Sequence, residues 1–186
     1  MTQSVPQVSV CMSMYNASLY IRECIDSILS QSFRDFELLI ADDGSEDDST
    51  FIVESYKDPR IHLFRNRHDF IKSLNLVLDK AKGKYVAHMD ADDVMMPYRL
   101  ERQISYMEEH PDIDILGGAI QCIGCDDRII TYDENPIAAK HLLSGPVLAN
   151  PSVMMRASSI SKLRYNQDYI YAEDYHFWCQ AFKIGL

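Results

Sequence analysis

Carboxylates stand in three groups along the chain: Asp42 and Asp43; Asp90, Asp92 and Asp93; and Glu173 with Asp174. These seven side chains make up most of a formal net charge of −10. Clustered carboxylates repel one another, and burying them without compensation is costly. A hard divalent cation relieves that problem. Mg²⁺ or Mn²⁺ takes oxygen ligands and leaves positions for water and substrate phosphate. The run Asp90-Ala91-Asp92-Asp93 therefore suits a metal–phosphate site. It suits equally a solvated turn capping a helix that begins near Pro97, because Asp favours helix N-termini. The other groups are weaker alone: Asp42-Asp43-Gly44-Ser45 fits a turn, Glu173-Asp174 the first turn of a helix, and Tyr15-Asn16 an ordinary strand exit. No GxxxxGK[ST] loop occurs, and no GxGxxG follows the first apolar run, which weighs against a P-loop nucleotidase and a standard dinucleotide site. Phosphate binding would then fall to the metal and to basic side chains such as Arg99 or Arg156.

Positioning these groups requires strands that end just before them. Val8 to Met14, Phe36 to Ala41, Ile61 to Arg65 and Tyr85 to Met89 read as strands, with Ile113 to Cys122 as a fifth and Val153 to Arg156 as one more. Leu19 to Ser30, Phe70 to Ala81 and Glu173 to Ile184 carry apolar residues at helical spacing, as does a helix opening at Pro97 and closed by Pro111. Ser45 to Asp48 has the form of a capping box for a helix through Tyr56, with Glu46, Asp47 and Asp48 as its dipole partners. Gly83 reads as a helix stop, and a short helix is expected near Ala138 to Leu143. Alternating β and α segments predict an open, mainly parallel, Rossmann-like sheet with helices on both faces. In such sheets ligands gather at the carboxyl ends of the strands, where the three acidic groups fall.

The chain has 186 residues, of which 47% are hydrophobic and 25% charged, a globular composition sized for one domain. Its acidity weighs against a nucleic-acid-binding face. No apolar run approaches the roughly 20 residues of a membrane span. Cys11, Cys24, Cys122, Cys125 and Cys179 make an odd count that suits reduced thiols in a cytosolic setting. The Cys122–Cys125 pair lacks the second ligand pair of a zinc knuckle.

The order of the motifs resembles the family-2 inverting glycosyltransferases, which have the GT-A fold. VSVCMSMYN is similar to that family's first strand and Tyr-Asn turn, and CIDSILSQSFRDFELLIADDGSEDDS to its next helix, strand and acidic turn. AKGKYVAHMDADDVMMPYRLERQISYMEEHPDIDILGG resembles its metal-motif region, and NPSVMMR with AEDYHFWCQAFKIGL its late strand and Glu-Asp helix. The resemblance implies that Tyr15, Asn16, Asp42 and Asp43 line the nucleotide pocket. Asp90 and Asp92 would form the DxD element, with Asp92 the direct metal ligand, Asp90 holding ribose or assisting the metal, and Asp93 the next candidate. Asp174 would be the general base, and Glu173 would orient the acceptor or support the loop. Some positions depart from the family pattern: Ser13 stands where Pro is common, Asn66-Arg67-His68 replaces Asn-x-Gly, Leu74-Asn75 replaces Arg-Asn, and Asn150 stands where His is frequent. Members usually continue well past the Glu-Asp helix, so residues 1–186 are expected to be a single nucleotide-sugar-binding domain of a chain truncated at its C-terminus.

The implied reaction is metal-assisted direct displacement at an anomeric carbon, with Mn²⁺ or Mg²⁺, a nucleotide-sugar donor (a UDP-sugar) and a glycan or lipid-linked acceptor. The implied product is a bacterial surface glycan such as lipopolysaccharide, capsule or exopolysaccharide. The setting would be cytoplasmic, at the inner face of the cell membrane through peripheral association, with a homodimer compatible and no nucleic-acid partner. Asp90-Ala91-Asp92-Asp93-Val94 also fits the DxDx[TV] signature of haloacid-dehalogenase-like phosphotransferases, where it follows the first strand. A non-catalytic, nucleotide-binding pseudo-transferase is a further alternative. A receiver-like signalling domain would need its acids after the first strand.

Overall fold

The computed structural model describes residues 5–124, 126–132, 137, 139–142 and 147–186. In chain order the first half runs β1 (Val8–Met14), α1 (Ile21–Leu29), β2 (Phe36–Asp42), α2 (Ser49–Ser55), β3 (Ile61–Arg65), α3 (Phe70–Lys80) and β4 (Tyr85–His88). There follow α4 (Arg99–Glu109), β5 (Ile115–Leu116), β6 (Ile120–Gln121), β7 (Ile129–Ile130), α5 (Ala139–Leu142), β8 (Met154–Arg156) and α6 (Glu173–Lys183). The main sheet has the order β3-β2-β1-β4-β8-β5. β1 to β4 are parallel, whereas β8 runs antiparallel between β4 and β5. β6 and β7 pair as a separate antiparallel ribbon.

β1 and β2 are covered on both faces, which is why their sequences are nearly continuous apolar runs. Successive side chains alternate between two cores. Val8, Val10, Met12 and Met14 face α1, α2 and α4 through Ile21, Ile25, Val53, Leu100 and Ile104. Cys11, Leu39 and Ala41 face α3 and α6 through Ile71, Leu74, Val77, Phe177 and Trp178. Trp178 is 4% exposed, and its ring meets Phe177 edge-on at 5.4 Å.

Several local expectations need correction. α1 starts at Ile21, and Leu19 lies outside it, 84% exposed. Ser45 opens no helix: α2 starts at Ser49, and Ser45 Oγ accepts from the Asn16 amide at 3.0 Å. Asp47 is no solvated dipole partner, because its carboxylate accepts from the Ser18 and Ser49 amides, each at 2.9 Å. Despite some desolvation, those bonds and the Ser49 hydroxyl hold it well below the usual carboxylate range. Pro97 precedes α4, whose N-cap is Tyr98. Gly83 serves close approach and not termination, since a Cβ there would lie 2.6 Å from Ser9 N. The expected strand Ile113 to Cys122 splits into β5 and β6, which belong to different sheets. The short helix is present as α5, while Ala138, Leu143 and Cys125 lie outside the described residues. Cys11, Cys24, Cys122 and Cys179 are free thiols. Among the described residues no helix is long and apolar enough to cross a membrane.

Candidate active site

The chain moves outward from β1 through β2 to β3, then returns to the other side of β1 to form β4. Strand order reverses there, and such a switch point opens a crevice beyond the carboxyl ends of the strands. Tyr15 and Asn16 leave β1 at this crevice, and Asp90 leaves β4.

On one side, the β1 and β2 exits are tied together. Asn16 adopts φ +48°, a left-handed conformation that Asn tolerates, and its Oδ1 accepts from the Glu46 amide at 2.8 Å. Asp42 and Asp43 are both buried. Asp42 accepts from the Ser45 amide at 3.1 Å and the Thr50 hydroxyl at 3.3 Å. Asp43 Oδ1 accepts from the Asp69 amide and the Ser73 hydroxyl, each at 2.7 Å, which ties β2 to α3. Its Oδ2 lies 3.3 Å from His68 Nδ1. The His68 ring leans on the exposed Tyr15 ring, centroids 4.3 Å apart. An aromatic face beside a carboxylate is chemistry that suits a nucleobase. Gly44, at φ +83°, lets this segment close, because a Cβ there would meet His68 N at 3.2 Å.

On the other side, the loop after β4 presents Asp90 half exposed, Asp92 exposed and Asp93 partly buried. Burial, reinforced by the charges of Asp90 and Asp92, pushes Asp93 up to about 6. Arg99, partly buried and near enough to Asp93 and Asp90 to feel their charge, donates to the carbonyls of His88 at 3.0 Å and Val153 at 3.2 Å. Burial lowers its guanidinium to about 10, with Asp93 and Asp90 opposing that fall. The three carboxylates thus repel one another near a cation already committed to backbone. Their exposed oxygens are hard donors that fit Mg²⁺ or Mn²⁺. Among the described residues no group of three His, Cys, Asp or Glu side chains is placed to hold a metal ion by itself.

Glu173 and Asp174 open α6. Asp174 Oδ1 accepts from Asn150 Nδ2 at 2.7 Å. Burial pushes Asp174 up to about 6, with His88 opposing and the charges of Glu173 and Asp90 adding to the rise. His88, 3% exposed at the end of β4, places Nε2 3.3 Å from Asp90 Oδ1. Electrostatically, then, one buried imidazole addresses both Asp90 and Asp174. Among the described residues, two buried acceptors here have no donor, Asn150 Oδ1 and Glu173 Oε2.

Neither arginine is free for phosphate. Arg99 is spent on the two carbonyls. Arg156 binds the carbonyls of Ile113, Met107 and His110 and the Tyr85 hydroxyl, at the start of β4 and so at the far end of the sheet. In the sequence His88 is one more strand residue, and His68 and Asn150 stand out only as departures from the family pattern. Their alternation or turn positions carry no chemical signal until distant neighbours are known.

The description Glycosyl transferase family 2 fits residues 9–183, and the chain belongs to that family. An uncharacterized glycosyltransferase of Haemophilus influenzae is 34% identical, the match covering 98% of this chain and 62% of that protein. The Escherichia coli UDP-Glc:alpha-D-GlcNAc-diphosphoundecaprenol beta-1,3-glucosyltransferase WfgD is 28% identical over 95% of this chain and 70% of its own length. Among solved structures, Staphylococcus aureus TarS 1-349 in complex with UDP superposes with a TM-score of 0.78 at 23% identity, covering 95% of this chain and 55% of that one. The mannosyltransferase PcManGT of Pyrobaculum calidifontis, in complex with GDP-Man and Mn²⁺, gives 0.74 at 18% identity, covering 98% and 54%. The fold is GT-A, as the motif order implies. The chain spans a little under two thirds of the length of the Haemophilus influenzae relative.

Proposed function

We propose that this chain forms the donor-binding and catalytic part of an inverting glycosyltransferase. It moves a sugar from a nucleoside-diphosphate donor, a UDP-sugar, to a glycan or lipid-linked acceptor. The observation that carries this reading is the pairing of a partly buried carboxylate, Asp174, with the exposed acidic loop across His88, beyond the switch point of a family-2 fold. UDP is supported by the UDP-Glc in the WfgD name and the UDP bound to TarS; the undecaprenol in the WfgD name supports a lipid-linked acceptor. Such an acceptor would set the work at the inner face of the cell membrane.

In this reading Tyr15, Asn16, Asp42 and Asp43 receive the nucleoside, and Glu173 supports the acceptor side. Asp92, with Asp90, would hold Mn²⁺ or Mg²⁺, whose charge offsets the negative charge that grows on the departing diphosphate. The acceptor hydroxyl oxygen bonds to the anomeric carbon as the bond to the diphosphate oxygen breaks. The electron pair leaves with the diphosphate, and the hydroxyl proton passes to Asp174. A base near 6 is mostly ionised at neutral pH yet basic enough to share a proton in the transition state. No second carboxylate nucleophile is needed, because no covalent sugar intermediate forms.

Asp174→Asn tests the assignment. Transfer should fall at least about 100-fold, while calorimetric binding of UDP-sugar with Mn²⁺ stays near wild type. Undiminished transfer would remove Asp174 from the role. In the wild type, kcat/KM should decline as pH falls through about 6, where the base takes its proton.

A further inference from the structure

We infer that Asn150 is the positioning residue of Asp174: its amide orients the carboxylate and keeps it open to a proton. This rests on the proposed role of Asp174 as base. Asn150 begins a short 3-10 turn just before β8 and is 8% exposed. Its Nδ2 donates to Asp174 Oδ1 at 2.7 Å, while its own Oδ1 is buried without a donor among the described residues. Turned the other way, the amide would set its oxygen against the carboxylate, acceptor to acceptor. The amide is therefore held in the orientation that serves Asp174 and leaves its own oxygen unpaired. An asparagine kept only for packing or turn geometry gains nothing from that arrangement, since an unpaired buried acceptor is destabilising.

Donation to the ionised carboxylate favours that form. The groups around Asp174 pull in different directions. Glu173 on the same helix and Asp90 beyond β4 disfavour a further negative charge, as does burial, whereas His88 on β4 favours it. Tyr165, ahead of α6, is buried and held as the neutral phenol, its own ionisation opposed first by burial and then by Asp174, with a weaker side-chain hydrogen bond to Asn150 acting the other way. Asn150 differs from His88 in that an amide does not titrate, so its donation is constant across the working pH range.

The test reads the carboxyl directly, by ¹³C-carboxylate titration of the full chain, with the Asp174 signal identified by its loss in Asp174→Asn. Asn150→Leu keeps the size and removes the donor, and should raise the Asp174 inflection by about one pH unit or more. Asn150→Asp keeps the shape and adds a like charge, and should raise it further; it decides the matter if the leucine variant does not fold. The acidic limb of kcat/KM should move with the inflection while the KM for UDP-sugar holds. An unmoved inflection in a variant that near-UV circular dichroism shows to be folded would overturn the role of Asn150. Because the titration needs no turnover, it stands apart from the base assignment, which full transfer by Asp174→Asn alone would remove.

Discussion

Asp93 shows how a single side chain on the acidic loop ties stability to pH. Burial first, then Asp90 and Asp92, raises it from 3.8 to about 6, so the folded protein binds this proton more tightly than the unfolded chain. Its favourable contribution is therefore complete below about 4 and is lost as pH rises through about 6. Asp174 adds a slope of the same sign. In chelator, the melting temperature should fall between pH 4.5 and 7.5, and Asp93→Asn should flatten that fall, by about 2–4 °C for each kcal/mol relieved. Scanning calorimetry across that range checks it, and an unchanged slope would refute it. The acids themselves are legible in the sequence, because DADD and Glu-Asp stand at strand and helix ends. Their partners are not. His88 looks like one more strand residue until Asp90 and Asp174 are seen beside it, and Asn150 acquires meaning only through a helix that begins much later in the chain. Arg156 misleads for the same reason: its type suits phosphate, but its register on β8 sends it to Tyr85, at the wrong end of β4.

The strands read most clearly where both faces are covered, since VSVCMSM and FELLI can hardly be anything else. Pairing is harder to read. Ile113 to Cys122 is apolar enough for one strand, yet Gly117 and Gly118 break it. At Gly117 the Leu148 side chain occupies the space a Cβ would need. The capping-box pattern at Ser45 misleads because Asn16, remote in sequence, takes its hydroxyl. Gly83 stops no helix but lets the α3–β4 link lie against β1. There the Lys82 and Gly83 amides donate to Ser9 Oγ, and Ser9 in turn donates to the buried Glu37 at 2.6 Å. Gly83→Ala would drive a methyl into backbone at Ser9 N, Val8 C and Tyr85 O, 2.6 to 2.8 Å away. A loss of about 1–3 kcal/mol is expected, read as a lower urea midpoint at unchanged slope. A wild-type midpoint would show that the link can move aside.

At the scale of the whole molecule, the fold brings the exits of β1, β2 and β4 to one end of the sheet, with Asp174 near enough to Asp90 to feel its charge. The open, mainly parallel sheet is legible from the alternation of strand and helix periods, whereas the reversal of strand order around β1 shows only in the structure. The DxDx[TV] alternative loses its footing here, because Asp90 follows β4 and not the first strand. A ligand that binds only the assembled crevice must raise stability. UDP-sugar with Mn²⁺, each near 100 times its dissociation constant, should lift the melting temperature by roughly 5–10 °C over protein alone. An equal lift in EDTA would argue against a cation bridging the acidic loop and the diphosphate. The last helix brings one more consequence. Trp178, the single tryptophan of the chain, lies one turn beyond Asp174 on α6 and is shielded against Phe177. Its fluorescence is a label-free gauge of whether that helix is seated, so refolding followed by emission at this one indole also times the arrival of the proposed proton acceptor.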